Sequence, residues 1–166
     1  MFKYIFQDWK ANKYSAKGRI VLLSYRLTSL VNQNKILRLF FFPCIFVHKF
    51  IFYWIIGIEI NINAKIGANC QLFHGQALVI NGGTIIGNDA ILRNSITIGT
   101  KLLADGTNSS APQIGNFVNI GSNSVIIGPI KIGDNVSIGA GSVVVKDFPN
   151  NCIIAGNPAI IIKKIG

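Results

Sequence analysis

The chain has 166 residues, half of them hydrophobic and only 13% charged, a composition that excludes an intrinsically disordered protein. Sixteen Lys and Arg oppose six Asp and Glu, so the net charge of +10 favours an anionic partner. The three cysteines are widely spaced, which predicts neither a disulfide framework nor a CxxC metal site and favours a reducing compartment.

Residues 1–58 carry most of the positive charge, with nine basic side chains and one acid, Asp8. We expect this part to be a helical segment that is both basic and apolar. Its residues 36–58 are strongly apolar and aromatic, but Arg38, Pro43 and His48-Lys49 interrupt them, so a membrane-spanning helix is not predicted. The apolar stretch also starts too late for a signal peptide.

Two interpretations of residues 36–58 remain open. The helices could pack on a larger apolar body or on another subunit, as most apolar helices in soluble proteins do. They could instead rest on an anionic membrane surface, with the basic side chains on the wet side.

Residues 59–166 follow a six-residue period. A Pro- and Gly-containing loop at 101–113 interrupts the period. The phase of the period also slips once, near 77–80. This period fits neither an amphipathic helix nor a plain hairpin, and it predicts a mainly β solenoid, a parallel β-helix, in which one aliphatic residue per unit points inward. From residue 114 onward the units begin without a gap at Ile114, Ile120, Ile126, Ile132, Ile138 and Val144.

Four stretches carry a family resemblance: Gly57–Gly67, Leu72–Gly75 (LFHG), Ile138–Asp147 (IGAGSVVVKD) and Ala155–Ala159 (AGNPA). They resemble the hexapeptide-repeat acyltransferases, in the serine acetyltransferase branch that includes capsule and O-antigen O-acetyltransferases. The resemblance implies a left-handed parallel β-helix and a homotrimer with active sites between subunits. A dimer of such trimers through the apolar segment is also conceivable.

Acetyl transfer to a hydroxyl needs a base near neutral pH, and His is the usual one. Only His48 and His74 exist, and His74 occupies the position of the family's catalytic His. The family's acidic partner lies fifteen positions upstream, which corresponds to Glu59. The resemblance therefore implies a His74–Glu59 pair, although Glu59 could instead pair with a Lys or Arg of the basic segment. An acetylated Cys70 is a less favoured route.

The resemblance also implies which residues contact acetyl-CoA, the expected co-substrate: Gly99, Thr100, Ser122, Ala140 and Lys146. For the acceptor, we expect contacts from Asn94 and from the polar loop, namely Asp105 and Asn108.

The chain departs from serine acetyltransferases at two places. Ala111 stands where those enzymes carry a second His before Pro112, and Phe73 replaces the acid before the catalytic His. Both changes remove polar groups that would meet an amino acid, so a saccharide acceptor is favoured over serine.

We therefore expect an acetyl-CoA-dependent O-acetyltransferase that modifies a sugar hydroxyl of a surface polysaccharide. It would lie in the cytoplasm, with possible peripheral contact with the inner face of the membrane. The alternatives are a serine O-acetyltransferase and a non-catalytic β-helix scaffold. No metal is expected, since two His cannot supply a three-His zinc site, and no nucleic-acid-binding motif is present.

Overall fold

The computed structural model describes residues 2–166. Helices come first and strands follow. The helices are α1 (Phe2–Ile5), α2 (Ala16–Gln33), α3 (Lys35–Phe40) and α4 (Phe42–Lys49), and α4 continues directly into a π-helix (Phe50–Ile55).

Fifteen short strands, joined by turns and one longer loop, follow the helices. They are β1 (Ile58–Ile60), β2 (Lys65–Ile66), β3 (Gln71–Leu72), β4 (Leu78–Ile80), β5 (Ile85–Ile86), β6 (Ile91–Leu92), β7 (Thr97–Gly99), β8 (Gln113–Ile114), β9 (Asn119–Ile120), β10 (Val125–Ile127), β11 (Lys131–Ile132), β12 (Val136–Ile138), β13 (Val143–Val144), β14 (Cys152–Gly156) and β15 (Ala159–Lys164).

Three parallel sheets form the sides of a solenoid. The first sheet has the order β1-β4-β7-β10-β13, the second β11-β8-β5-β2, and the third β15-β14-β12-β9-β6-β3. Each of the first four turns contributes one strand to each sheet. The last turn contributes β13 and β14, and it meets the second sheet only through an isolated bridge between Phe148 and Ile132. Among the strands named above, β15 alone runs antiparallel, along β14. The prediction of a mainly β, parallel solenoid after a helical segment is confirmed.

Stacked aliphatic side chains fill the interior. In the first sheet, Ile60, Ile80, Ile98, Ile126 and Val144 lie in register on successive turns, and all are buried. Each such side chain contributes roughly 1.5–3 kcal/mol by leaving water. The six-residue period therefore reflects one inward aliphatic residue per side of the prism.

The phase slip in the sequence has a local cause. Eight positions separate Leu72 from Ile80 across the corner between the third and first sheets, whereas six separate Leu92 from Ile98 on the next turn. The two extra residues are His74 and Gly75, because Ser95 on the next turn pairs with Gln76 through its backbone amide. This corner therefore bulges outward.

The second interruption, the loop at 101–113, lies between β7 and β8. It folds as a small hairpin, with an antiparallel bridge between Leu102 and Asn108. The solenoid resumes in register beyond it, since Gln113 and Ile114 pair with Ile85 and Ile86.

The helical segment covers the open end of the solenoid, where the first turn has no preceding turn to pair with. Its side chains take the place of that missing turn on all three sides. On the first side, Tyr53 Oη donates to Ile60 O (2.8 Å). On the second side, Tyr25 Oη donates to Ala64 O (2.5 Å), and Arg26 donates to Ile66 O and Gly67 O. On the third side, the Asn12 amide donates to Cys70 O and accepts from Leu72 N. An unpaired strand edge is thereby closed.

One side of the 36–58 segment packs inward and the other faces solvent. Ile45, His48 and Phe52 are buried, whereas α3 buries none of its residues. Within residues 2–166, no helix combines the length and the apolar character that crossing a bilayer requires.

Candidate active site

His74 lies on the bulged corner, and its side chain is exposed. Its backbone adopts φ 66°, and Gly75 follows at φ 74°. A Cβ on Gly75 would lie within 3.2 Å of both Leu72 and Ile58 side-chain carbons, so this position suits only glycine. His74 is thus exposed on a corner that stands out from the solenoid, where a substrate can reach it.

A polar bridge holds the bulge against the helical segment. With the Gln76 amide turned so that its nitrogen faces the bulge, Nε2 donates to His74 O over 2.8 Å. In the same orientation, Gln76 Oε1 accepts from Lys17 Nζ of α2 over 2.9 Å. The backbone that carries His74 is thus tied to a helix outside the solenoid.

The corners that follow His74 along the solenoid form one edge of the prism, which we call the His74 edge (73–77, 93–95, 121–123 and 139–141). It carries Asn94, Ser122 and Ala140. Ser122 Oγ donates to Asn94 Oδ1 over 3.0 Å, and the Gly141 amide donates to Ser122 O over 2.9 Å. The structure therefore places four residues of the expected site in one row.

Glu59 lies on the outer face of the first sheet, which adjoins the His74 edge. It lines a cavity of about 320 Å³ together with Gly99 and Thr100. Among residues 2–166, no hydrogen bond and no ion pair within 4.0 Å involves the Glu59 carboxylate, so it contacts neither His74 nor a basic side chain of the helical segment at that range.

Tyr53, in the π-helix, also lines this cavity. Burial, reinforced by the nearby Glu59 charge, raises the pKa of the Tyr53 phenol to about 12. The phenol is therefore protonated at neutral pH, when it donates to the Ile60 carbonyl.

The remaining expected residues lie outside the His74 edge. Lys146 is exposed, with its Nζ 5.7 Å from the centroid of the Phe148 ring. Asp105 accepts hydrogen bonds from the hydroxyl (2.7 Å) and amide (2.9 Å) of Thr107, which lower the pKa of its carboxyl. Asn108 is held in the bridge to Leu102. Both polar loop residues thus contribute to the loop's own hairpin.

Two other groups are poorly suited to chemistry. Cys70 is fully buried, and burial raises the pKa of its thiol, which disfavours the reactive thiolate. His48 is buried beside Ser24, with 2.7 Å between Nδ1 and Oγ, and burial, with a smaller effect from Lys49, lowers its pKa to about 4. Within the described chain, residues 2–166, no three or more His, Cys, Asp or Glu side chains cluster as metal ligands would.

Sequence reasoning did not identify Lys17, Gln76 or Tyr53. Lys17 and Tyr53 come next to the site only through the packing of the helical segment on the first turn, whereas Gln76 belongs to the bulged corner itself. Arg93 was also missed: it lies with its guanidinium carbon 5.9 Å from the centroid of the Phe73 ring and donates to Ile120 O. A clue existed for Arg93 alone, since it is the single Arg after residue 58.

Comparison with known proteins identifies the family of the chain. Residues 111–146 match the family described as bacterial transferase hexapeptide (six repeats). The chain is 33% identical over 159 residues to the Escherichia coli strain K12 protein named "Putative colanic acid biosynthesis acetyltransferase WcaB", covering 93% of this chain and 96% of that protein. It is 34% identical over 147 residues to the serine acetyltransferase of Helicobacter pylori, covering 89% and 82%.

Among solved structures, a serine acetyltransferase in complex with CoA superimposes with a TM-score of 0.68 at 31% identity, covering 88% of this chain and 57% of that one. The repeat that builds the prism and these likenesses along nearly the whole chain agree with one another. The chain belongs to the hexapeptide-repeat acyltransferases and is an acetyltransferase of that family.

Proposed function

We propose that this protein transfers the acetyl group of acetyl-CoA to a sugar hydroxyl of a surface polysaccharide or its precursor. The observation that carries the proposal is the extent of the likeness to WcaB, which includes the helical segment as well as the solenoid and spans 93% and 96% of the two chains. The replacement of polar residues by Phe73 and Ala111 near the expected acceptor site supports a saccharide acceptor.

In the proposed reaction, His74 Nε2 or Nδ1 takes the proton from the acceptor hydroxyl as its oxygen attacks the thioester carbonyl. The tetrahedral intermediate collapses, the carbon–sulfur bond breaks, and the His74 proton passes to the departing CoA sulfur. The exposed position of His74 on the bulge gives the acceptor direct access. Acceptor and thioester react directly in this scheme, without an acyl-enzyme.

Glu59 serves in this proposal as a positioning residue for the His74 imidazole. Glu59 lies in β1, at the start of the first turn. His74 lies at the corner where that turn ends, just before the chain returns to the first sheet as β4, which pairs with β1. Catalytic hydrogen bonds are often long before substrate binds, so we propose that the pair closes when the acceptor is bound.

The acetyl-CoA arm would lie along the outer face of the first sheet. Ser122 and Ala140 border this face on the His74 edge, and Gly99, Thr100 and Lys146 border it on the other side. Because the face is open along one chain, we propose that a neighbouring subunit of a homotrimer closes it and that each active site lies between two subunits.

Serine O-acetylation is the second candidate. The likeness to the Helicobacter pylori serine acetyltransferase, which covers 89% and 82% of the two chains at 34% identity, favours it specifically. The assignment to an acetyltransferase family favours either enzyme over a non-catalytic scaffold.

The test is release of CoA from acetyl-CoA, followed with a thiol reagent. Acceptors would be L-serine and, separately, neutral hexoses, 6-deoxyhexoses, amino sugars and hexuronates, with acetylated product identified by mass spectrometry. The variants His74→Ala and His48→Gln form a matched pair, because they remove the exposed and the buried His in turn.

We expect release that depends on a saccharide, persists in His48→Gln and falls by about 10²–10⁴-fold in His74→Ala. Release with serine alone would establish the second candidate. If the folded protein binds acetyl-CoA but releases no CoA with any of these acceptors, both candidate functions are overturned.

A further inference from the structure

A row of aromatic side chains faces solvent on the helical segment. Phe42, Phe46, Phe50 and Trp54 recur every four residues along α4 and the π-helix, so they lie on one side of it. Their side chains are 61%, 62%, 51% and 83% exposed. We call these four residues the aromatic stripe.

The exposed apolar surface extends beyond the aromatic stripe onto α3. Ile36, Leu39 and Phe40 are each more than two-thirds exposed, and no residue of α3 is buried. So many exposed apolar side chains on two neighbouring helices are rare on a soluble monomer and mark an interaction site.

The opposite side of the same helix is already occupied. Ile45, His48 and Phe52 face inward, and the His48 ring is anchored to Ser24 of α2 by the 2.7 Å contact. The helix is therefore docked on the protein, and the aromatic stripe cannot turn inward without breaking that packing.

The charged residues of α3 and α4 are all basic. Lys35, Arg38 and Lys49 are exposed, and the described residues supply no ion pair to any of them. No acid occurs between residues 9 and 58, and Asp8 is buried against Arg26. We propose that the aromatic stripe and these three basic residues dock the protein on an anionic lipid bilayer, with the aromatic rings in the headgroup layer.

Charge favours a bilayer over a second copy of the chain. A symmetric contact through the aromatic stripe would bring Lys35, Arg38 and Lys49 near their own copies, with no acid in the segment to compensate. Anionic headgroups provide the compensating charge, and aromatic side chains with a polar edge, such as Trp54, suit the membrane interface.

The test is flotation of the 166-residue protein with vesicles of phosphatidylcholine alone or of phosphatidylcholine with one quarter phosphatidylglycerol. We expect flotation with the anionic vesicles at low salt and a several-fold loss at about 1 M NaCl, where surface charges are screened. In a Trp9→Phe background, Trp54 is the remaining Trp, and its fluorescence should shift to the blue with anionic vesicles.

Two pairs of variants distinguish this surface from general stickiness. Phe50→Ser/Trp54→Ser should reduce flotation at least tenfold, whereas Ile160→Ser/Ile162→Ser, which removes exposed apolar side chains of β15, should not. Arg38→Gln/Lys49→Gln should weaken binding to anionic vesicles, whereas Lys65→Gln/Lys131→Gln, on exposed positions of the second sheet, should not. Melting curves would confirm that each variant is folded.

Absence of flotation with either vesicle would overturn the proposal. So would equal flotation of wild type and Phe50→Ser/Trp54→Ser. If wild type instead forms an assembly that this variant splits in half, as seen by light scattering, a second copy covers the aromatic stripe and the proposal fails. Acetyl transfer to a soluble acceptor is measured separately and does not depend on any of these outcomes.

Discussion

Arg26 and Asp8 form a fully enclosed ion pair between α2 and the turn that precedes it. Arg26 Nε donates to Asp8 Oδ2 over 2.8 Å, and the two side chains are 0% and 4% exposed. The pair also reaches the solenoid, because Arg26 Nη2 donates to Gly67 O (2.7 Å) and Asp8 Oδ1 accepts from the Cys70 amide (2.9 Å). The helical segment is thus joined to the first turn by buried charge as well as by apolar packing.

Replacing Arg26 by Met should destabilise the protein strongly. The change leaves the Asp8 carboxylate buried without its partner and removes the donors to Ile66 and Gly67, so we expect a loss of about 3–5 kcal/mol in the free energy of unfolding. Urea unfolding followed by circular dichroism measures it.

Lys10→Met is the matched control, because Lys10 is exposed and its replacement should change stability by about 0.5 kcal/mol or less. A double-mutant cycle with Asp8→Asn should show a coupling of roughly 0.5–3 kcal/mol. Additive effects would mean that the two side chains do not stabilise the fold as a pair.

The two parts of the chain differ in how far their sequence predicts their structure. In the solenoid, each inward position is set by contacts one turn away, so a local period predicts the strands and the buried residues such as Ile98 and Ile126. The sequence places the phase slip near its cause, but it does not single out His74 and Gly75 as the two inserted residues, because both lie between the aliphatic residues that define the period.

The helical segment depends on long-range contacts. Asp8 is conspicuous as its single acid, yet nothing local selects Arg26 from nine basic residues, and the backbone groups that Asp8 and Asn12 bind lie about sixty positions away. For the same reason, Lys17 and Tyr53 could not be connected with the site before the fold was known.

Glu59→Gln should lower kcat about 10–100-fold with little change in KM for acetyl-CoA, because a positioning carboxylate acts on the imidazole during the reaction. Glu59→Asp should recover part of the lost rate. Steady-state kinetics in the CoA-release assay measures both.

Asp89→Asn is the control for loss of one carboxylate, since Asp89 lies at a different corner and Asn tolerates its positive φ of 57°. Its rates should match wild type. Equal kcat in Glu59→Gln and wild type would remove Glu59 from the mechanism while leaving His74 in place.

The bridge from Lys17 through Gln76 to the His74 carbonyl should affect activity more than stability. Lys17→Met removes the donor to Gln76 Oε1 and loosens the bulge, so we expect kcat to fall roughly tenfold at an unchanged melting temperature. Lys13→Met, which removes an exposed Lys that lies over Tyr14, should leave kcat unchanged. A fall in melting temperature without a fall in kcat would show that the bridge is only structural.

His48 should make the stability of the protein depend on pH. Burial, with a smaller effect from Lys49, lowers the pKa of folded His48 to about 4, whereas an unfolded His titrates near 6.5. The unfolded state therefore binds the proton first as pH falls, so the stabilisation is complete above about pH 6.5 and is lost progressively toward pH 4, by at most about 3 kcal/mol. Urea unfolding between pH 7 and pH 4.5 should show this slope in wild type and in His74→Ala, whose missing imidazole is exposed, and a flatter slope in His48→Gln. Parallel slopes in wild type and His48→Gln would mean that His48 takes up its proton in the folded state as readily as in the unfolded chain.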